Sequence, residues 1–397
     1  MAYSALKVFC CCCCCAEMLF VKRFCASHLK TSKMPHRFQS NKRPVAPLGS
    51  RVLLDPDKVF DHNMWDHMQW SQEEEETAKE KAAENSLVRV QPELQAKYER
   101  EASRYWNEFY KIHKNHFFKD RKWLFVEFPE IIPEGKSDRC RKAITENLRC
   151  TGLLEDNHLC EDNSAPKVSS VLSACYDNSA ADEQIVKSTG KQFPGGDSSY
   201  RILEVGCGAG NSVFPILEVI RHHPGVFLYC CDFASEAVEL IKSHPLIDSS
   251  RCFAFVHDVC DDASPYPFPD GSLDVILLIF VLSSVHPDRI QGVVNGLARL
   301  LKPGGMILFR DYGRYDASQL RFKKGRCLSE NFYVRGDGTR AYFFTKDEIH
   351  SIFSSAGLTE VQNLLDRRLQ VNRKKKVKIH RVWIQGKFQK QGELTQE

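Results

Sequence analysis

A glycine-rich turn in the second half of the chain has the residue types and spacing of a cofactor-binding loop. Glu204 precedes glycines at three alternate positions, Gly206, Gly208 and Gly210. The apolar residues before this turn predict a strand, and the residues after it predict a helix. A dinucleotide loop at such a turn has the spacing G-x-G-x-x-G. The third glycine comes one residue earlier here, which indicates a cofactor without a pyrophosphate.

Positions after the following strands complete such a site. Asp232 lies 22 residues beyond Gly210 at a strand end, where an acceptor for a ribose diol belongs. Asp258 and the adjacent Val259 follow the third strand, where an adenine amino group would be bound. Ile279 ends the fourth strand and can pack on the adenine or the ribose. In this order, the positions favour S-adenosylmethionine as the cofactor.

Each of these positions also has a purely structural interpretation. The glycines could be ordinary turn glycines, and Asp232 could cap the helix that begins near Ser235. Asp258 could simply begin an acidic loop with Asp261 and Asp262. We favour the cofactor interpretation because the positions occur together, in the right order and on the right elements.

The segment that follows the fifth predicted strand supplies the candidate catalytic residues, Asp311 and Tyr312. In a doubly wound sheet, the carboxyl ends of the strands line the substrate crevice. We therefore expect Asp311 to face the methyl acceptor, with Tyr312 beside it. The alternative is that Asp311 is a structural acid in a turn.

The order of strands and helices predicts the fold. Apolar runs predict strands at residues 201–205, 226–231, 253–256, 273–279 and 306–309, and helices at 212–221, 235–243 and 288–301 lie between them. This alternation predicts an α/β fold with a doubly wound, mostly parallel sheet. A last strand is predicted at His380–Ile384. A helical, aromatic-rich extension with helices at 71–85 and 93–116 precedes the sheet.

Composition divides the 397 residues into five segments. Residues 1–51 form a basic, acid-poor leader with the composition of a mitochondrial transit peptide, although its run Cys10–Cys15 is unusual and leaves a cytosolic or nuclear location open. Residues 52–133 form an N-terminal helical region that would bind RNA and cover the cofactor. Residues 134–199 are polar and predict a disordered linker. Residues 200–390 form the catalytic domain, and residues 391–397 a tail.

Basic residues are concentrated in the last third of the chain, although the formal net charge is only +4. Lys and Arg number 7 against 12 acids in residues 201–304, and 19 against 10 in residues 305–397. Basic side chains interleaved with aromatic ones suit contacts with the phosphates and bases of RNA. The candidate RNA-binding residues are Lys323, Lys324, Arg326, Arg335, Arg340, Lys374, Lys375 and Lys376. The alternative for each run is a solvated surface.

The remaining composition predicts neither a metal nor a membrane span. Outside the leader run, the cysteines show no C-x-x-C spacing, which indicates free thiols in a reducing compartment. His62 and His67 are five residues apart, which places them on different faces of a helix and disfavours a shared metal. No apolar stretch reaches the roughly 18 residues that a membrane helix needs.

Seven motifs are spread over nearly all of the chain outside the leader and the linker. They are Val45–Arg51, Asn63–Asp66, Tyr105–Tyr110, Phe117–Arg121, Ile202–Asn211, Phe309–Gly313 and Arg335–Thr339. Together they resemble the motifs of the tRNA 3-methylcytidine methyltransferases of the methyltransferase-like group, and look most similar to those of its mitochondrial member.

The resemblance implies a class I, Rossmann-like methyltransferase fold that binds S-adenosylmethionine. It implies methylation of a cytidine N3 in the anticodon loop of serine and threonine tRNAs, and seryl-tRNA synthetase as a partner. It also implies that Trp106 and Tyr110 close over the cofactor.

Methylation of cytosine N3 needs no general base, because this nitrogen carries a lone pair at neutral pH. Methylation leaves the ring cationic, and a carboxylate such as Asp311 would stabilise that charge. Because N3 is paired in a duplex, the target must be single-stranded or flipped out.

Two other functions stay open at the level of sequence. A methyltransferase for a protein or a small molecule would leave the basic last third of the chain without a role. A non-catalytic RNA-binding protein would leave the intact glycine loop, with Asp232 and Asp258, without a role.

Overall fold

The structure, a computed structural model, describes residues 51–133 and 193–392. The predicted leader up to residue 50, with the run Cys10–Cys15, lies outside the described residues. So do residues 134–192 of the predicted linker and residues 393–397 of the tail.

Strands and helices alternate through most of the described chain. The strands are β1 (Met64–Trp65), β2 (Tyr200–Val205), β3 (Val226–Asp232), β4 (Cys252–Val256), β5 (Leu273–Ile279), β6 (Leu301–Tyr312), β7 (Cys327–Ser329), β8 (Phe332–Val334), β9 (Arg340–Tyr342), β10 (Leu358–Asn372) and β11 (Val377–Lys390). The α-helices are α1 (Gln72–Ser86), α2 (Pro92–Arg100), α3 (Ala102–His113), α4 (Leu124–Glu127), α5 (Val213–Val219), α6 (Ser235–Lys242), α7 (Pro287–Leu300), α8 (Ala317–Leu320) and α9 (Lys346–Ser355).

Eight strands form one sheet in the order β1-β10-β11-β6-β5-β2-β3-β4. The strands from β2 to β6 pair in parallel, and the three others add an antiparallel edge. The chain winds outwards from β2 to β4 and then in the opposite direction from β5 to β6. The predicted doubly wound, mostly parallel sheet is confirmed, and the crevice where the winding reverses lies between β2 and β5.

The central strand β5 has the bounds that its apolar run predicts, because a parallel strand buried on both faces is apolar throughout. On one face of the sheet, Val275 and Leu277 pack in a cluster that includes Phe128 of the N-terminal region. On the other face, Ile276 and Leu278 pack in a cluster that includes Val294 of α7. Helices therefore cover both faces, as the predicted class requires.

The two long strands β10 and β11 were predicted only in part. The prediction of a strand at His380–Ile384 found the middle of β11 and missed β10, which follows α9 directly. In β11, Trp383 lies opposite Tyr312, the last residue of β6. Residues 377–382 therefore continue past the end of β6 by about 20 Å, at roughly 3.4 Å per residue. The turn between β10 and β11 thus projects beyond the carboxyl edge of the sheet.

The N-terminal region docks on this sheet through short helices. The predicted capping box of α1 is present, since Ser71 and Glu74 exchange hydrogen bonds of 3.1 Å and 2.8 Å. The single helix predicted at residues 93–116 is two helices, which meet at Glu101 with φ −102° and ψ 17°. This break turns the aromatic face of α3 towards the carboxyl edge of the sheet.

The segment just before β2 also belongs to the folded part. The hydroxyl of Tyr229 donates to the carbonyl of Pro194, and Nε of Arg201 donates to the carbonyl of Gly195 at 2.9 Å. Pro194 and Gly195 are therefore held against β3 and β2.

Candidate functional site

The glycine loop between β2 and α5 folds as a tight cradle. Gly206 and Gly208 have φ values of +61° and +54°, a region that favours glycine. A Cβ atom on Gly206 would lie 2.6 Å from Cγ2 of Val281, and one on Gly208 would lie 2.5 Å from the hydroxyl of Tyr110. Both glycines are therefore fixed by their neighbours, and the loop has the bare backbone against which a cofactor can lie.

Asp232 joins the glycine loop to the end of β3. Its Oδ2 accepts the N–H of Gly208 at 2.9 Å, and its Oδ1 accepts the N–H of Ala234 at 2.9 Å. The residue is only 6% exposed, and this burial raises the pKa of its carboxyl group to about 6. Asp232 therefore forms the hydrogen bonds expected of a structural acid in a turn. The same hydrogen bonds hold its carboxylate against the glycine loop.

Glu204 is an acid in the same motif whose environment the sequence did not reveal. It is fully buried, and burial raises the pKa of its carboxyl group to about 7. The nearest cation is Arg121, whose Nη1 lies 3.5 Å from Oε1 of Glu204 and donates to Oγ of Ser212 at 2.9 Å. Arg121 was not predicted as a site residue, although it ends the motif Phe117–Arg121.

Helix α3 lies across the glycine loop. The rings of Trp106 and Tyr110 stack with centroids 5.9 Å apart and planes 27° apart. Phe109 and Tyr110 pack against Ala209 of the glycine loop and Ala234 beside α6. The two aromatic residues predicted to cover the cofactor thus lie at the mouth of the crevice.

The other predicted cofactor residues lie at the ends of the neighbouring strands. The N–H of His257 donates to the carbonyl of Asp232 at 3.0 Å, which holds the end of β4 beside β3. The next residue, Asp258, is exposed, and its carboxylate accepts the N–H of Cys260 at 2.9 Å. Val259 is half-buried against the core, and Ile279 is the buried last residue of β5. All of them lie at the carboxyl edge of the sheet.

Asp311 does not face an open acceptor site, so that expectation needs correction. Its side chain is fully buried, and its two carboxylate oxygens accept the N–H groups of Ser283 at 2.9 Å and of Tyr312 at 2.8 Å. Burial raises the pKa of this carboxyl group to about 6, while the nearby Arg335 acts to lower it. Asp311 therefore fixes the loop after β5, and Tyr312 lies beside it in a mainly aromatic cluster with Tyr333.

Two predicted RNA-binding arginines are buried inside the protein, which corrects their assignment. The Arg335 guanidinium donates to the carbonyl of Arg340 at 2.9 Å and lies 5.8 Å from the ring of Tyr312. Arg340 pairs with Glu99 of α2, and it also donates to the carbonyl of Ser284 at 3.2 Å. Both side chains hold the small sheet β7-β8-β9 against the crevice. Neither is exposed for contact with RNA phosphates.

The other predicted RNA-binding residues lie at or near the surface. Lys323 and Lys324 are exposed, Arg326 is half-buried, and Lys324 lies 3.4 Å from the carboxylate of Glu84. Three lysines occupy the exposed β10–β11 turn, which projects past the carboxyl edge of the sheet: Lys374, Lys375 and Lys376. The structure therefore separates the basic residues into a surface group and a buried pair.

A basic segment between α3 and α4 was missed by the sequence analysis. Residues 111–122 contain five Lys and Arg residues against the single acid Asp120. This charge density is visible in the sequence. Within residues 51–133 and 193–392, no group of three or more His, Cys, Asp or Glu residues could hold a metal. No helix in the same residues is long and apolar enough to cross a membrane.

Comparison with known proteins places the chain among methyltransferases. Residues 203–307 match the family described as methyltransferase domain. The chain is 54% identical over 355 residues to the chicken (Gallus gallus) tRNA N(3)-cytidine methyltransferase METTL2, covering 87% of this chain and 95% of the relative. It is 52% identical to human METTL2B over 86% of this chain and 92% of the relative. The human mitochondrial relative METTL8 is 54% identical over 68% of this chain and 99% of its own length.

These three relatives are matched over 92–99% of their own length, well beyond the methyltransferase domain alone. The fold is the class I, Rossmann-like methyltransferase fold, and the cofactor is S-adenosylmethionine. The chain belongs to the tRNA N(3)-cytidine methyltransferase family.

Proposed function

We propose that this enzyme transfers a methyl group from S-adenosylmethionine to N3 of a cytidine in tRNA. The observation that carries the proposal is the identity of 54% with a tRNA N(3)-cytidine methyltransferase over 95% of that relative's length.

The cofactor would lie along the carboxyl edge of the sheet. The bare backbone of Gly206 and Gly208 would pass beside it, and Asp232 would accept hydrogen bonds from the ribose. The exposed carboxylate of Asp258 would reach the adenine amino group, with Val259 and Ile279 against the ring. Trp106 and Tyr110 would cover the bound molecule. S-adenosylmethionine supplies the methyl group, carried on a positively charged sulfonium.

The protein residues around the acceptor would orient the base rather than remove a proton. Cytosine N3 is unprotonated at neutral pH, so positioning and electrostatics supply the catalysis. Asp311 would act by holding the loop from Phe280 to Ser284 beside the glycine loop, and Tyr312 would form the floor of the acceptor site. The negative charge of Asp311, buried near this floor, would also favour a base that becomes cationic.

We propose the anticodon loop of serine and threonine tRNAs as the substrate region, with seryl-tRNA synthetase as a partner. A loop offers an unpaired cytidine N3, which a duplex does not. The lysines of the β10–β11 turn support this proposal, because they project beyond the edge at which the cofactor would lie. They would contact phosphates flanking the target.

We propose a mitochondrial location, which rests on the basic, acid-poor composition of residues 1–51. Two relatives with mitochondrial names, human and mouse METTL8, are 54% and 53% identical to this chain. METTL2 proteins are about as similar to this chain, so similarity to METTL8 does not decide the location. The proposal therefore depends on the leader. Fluorescent fusions of the full chain and of a chain lacking residues 1–51 test it, and a cytosolic signal from the full chain would contradict it.

One experiment tests the activity. Purified protein is incubated with isotopically labelled S-adenosylmethionine and total tRNA, and the nucleosides are then identified by mass spectrometry. We expect label in 3-methylcytidine, and fragment mapping should place it in the anticodon loop. Label in another nucleoside would contradict the N3 assignment. Transfer to added protein or small molecules, with none to tRNA, would favour the alternative class of methyltransferase.

A further inference from the structure

A cavity lies beside the glycine loop, and none of the predicted cofactor residues lines it. It has a volume of about 400 Å³ and lies between α5, the segment after α6 and the basic segment 111–122. Its walls include Ala209 and Asn211 from the glycine loop. Among the described residues, its lining contains neither Asp232 nor Tyr110. The cavity therefore shares one loop with the cofactor site but has a different set of side chains.

The cavity has side chains that suit a nucleotide. Phe214 and His244 form its aromatic wall, with ring centroids 3.8 Å apart and planes 27° apart. Lys119 and Lys122 supply cations on the wall contributed by the basic segment, and Asn115 supplies an amide. Asp120 and Glu218 also line the cavity, and Asp120 accepts from the amide of Asn211 at 3.4 Å.

The surroundings determine the sign of the charge that the cavity would attract. The segment 111–122 carries four more Lys and Arg residues than acids. Its exposed lysines include Lys114 and Lys119. Within the protein, Lys111 lies near Glu236 and Arg121 near Glu204. The net positive charge of the segment favours an anionic chain with aromatic groups over a neutral or cationic ligand.

The distance from the methyl donor is limited by the loop that the two sites share. Gly206 and Gly210 are four positions apart in the chain, and four steps along an extended chain span at most about 14 Å. A ligand in the cavity would thus lie close to the cofactor. In a folded tRNA, only nucleotides near the target cytidine meet that limit while the target is in the crevice.

We propose that this cavity binds one nucleotide of the tRNA substrate that lies near the methylated cytidine. Its base stacks on the Phe214–His244 pair, and its phosphate pairs with Lys119 and Lys122. This inference rests on the proposed tRNA activity. It adds a site that recognises the shape of the loop around the target, separate from the lysines of the β10–β11 turn.

Four variants of the full chain test the inference. His244→Ala removes the stacking ring, and His244→Phe keeps an aromatic ring in its place. Lys119→Glu reverses one charge in the cavity. Lys346→Glu is the control, because Lys346 is an exposed lysine that begins α9 on the other face of the sheet. For each variant, the KM and kcat for total tRNA are measured, together with the affinity for S-adenosylmethionine by calorimetry.

We expect His244→Ala to raise the KM for tRNA about tenfold, the order of effect of losing one stacked base. His244→Phe should stay within about twofold of the wild type, and Lys119→Glu should raise KM more at low salt than at high salt. Cofactor affinity should not change in any of them, which also shows that they fold. If His244→Ala and Lys119→Glu match Lys346→Glu while the wild type methylates tRNA, this inference is wrong. If the wild type methylates no tRNA, it is the proposed function that fails.

Discussion

The carboxylate of Asp311 accepts the backbone N–H of Ser283 at 2.9 Å, and this bond ties the end of β6 to the loop that follows β5. That loop contains Val281, whose side chain lies against Gly206 of the glycine loop. A continuous chain of contacts therefore runs from the predicted acceptor floor to the predicted cofactor cradle. A substitution at Asp311 should therefore also affect cofactor binding at the glycine loop.

The first prediction uses Asp311→Asn, which keeps the shape of the side chain. An asparagine can accept one of the two backbone N–H groups, but its amide group would face the other N–H and cannot accept it. We expect turnover to fall about a hundredfold, the usual scale for a lost electrostatic group, and cofactor affinity to fall as well because the loop shifts. Single-turnover rates and calorimetry measure the two effects.

The two measurements distinguish two roles for Asp311. A residue that only stabilises charge on the base would lower turnover and leave cofactor affinity unchanged. A wild-type rate in the variant would show that Asp311 has no part in the reaction. The pH profile adds a third test, since the pKa of this carboxyl group is raised to about 6. Wild-type turnover should fall as the pH drops through this value, and the variant should not show this fall.

Local pattern predicted the parallel part of the fold well, because burial on both faces makes each strand visible as an apolar run. It failed for β10, which carries Asp366, Arg367 and Arg368. Asp366 and Arg368 pair with each other, and Asp366 also binds the buried Arg310 of β6. Two further contacts join residues that are distant in sequence, because Arg310 is 56 residues from Asp366 and Glu127 is 241 residues from Arg368. A pattern of polar and apolar residues cannot show such pairs.

The same limit explains the error for Arg340. Its partner Glu99 is 241 residues away, so a buried ion pair looked like part of a basic surface. The glycine loop was easier to predict because its geometry is local. Its positive φ values and close contacts require glycine at fixed positions, and these are visible in the sequence.

The second prediction concerns the contact between Gly208 and Tyr110. Gly208→Ala should weaken cofactor binding, because a Cβ would lie 2.5 Å from the Tyr110 hydroxyl. Adding Tyr110→Phe removes that oxygen and should restore part of the affinity. Gly206→Ala is the matched control, since its Cβ would meet Val281 instead. Tyr110→Phe should not rescue it. Equal effects of Tyr110→Phe in both backgrounds, measured by calorimetry as a double-mutant cycle, would contradict the coupling.

The third prediction compares two exposed acids of one loop. Asp258→Ala should weaken the binding of S-adenosylmethionine by about 1.5–3 kcal/mol, the usual contribution of a hydrogen bond to a charged group. Asp262→Ala should leave it unchanged, because Asp262 lies further along the loop. The same weakening in both variants would mean a general effect of loop charge and would remove Asp258 from the adenine site.

The fourth prediction concerns stability against pH. Burial raises the pKa of Glu204 from 4.5 to about 7, so the folded state favours the protonated form. As the pH rises from about 4.5 to 7, the wild type therefore loses stability that Glu204→Gln keeps. Above pH 7 the cofactor-free variant should be more stable, by an amount on the order of 1–3 kcal/mol, and below pH 4.5 the difference should vanish.

Denaturant unfolding of both proteins at several pH values measures this difference. Glu239→Gln serves as the control, because its side chain on α6 is 69% exposed and should show no such trend. A constant difference between wild type and Glu204→Gln from pH 4.5 upwards would mean that the pKa of Glu204 is not raised in the folded protein, because Arg121 offsets the effect of burial.

The last prediction concerns the β10–β11 turn. Replacing Lys374 and Lys375 with Ala should weaken tRNA binding and flatten its dependence on salt, by about 0.7–0.9 in the log–log slope for each lost phosphate contact. Lys376 is left in place because its Nζ lies 4.3 Å from the ring centroid of Phe60 and supports the turn. The matched control replaces Lys79 and Lys81, two exposed lysines of the acidic helix α1. Because these two lysines lie on a helix whose first turn is acidic, the control should keep the wild-type slope. Equal slopes in all three proteins would make the turn a solvated surface without a part in binding.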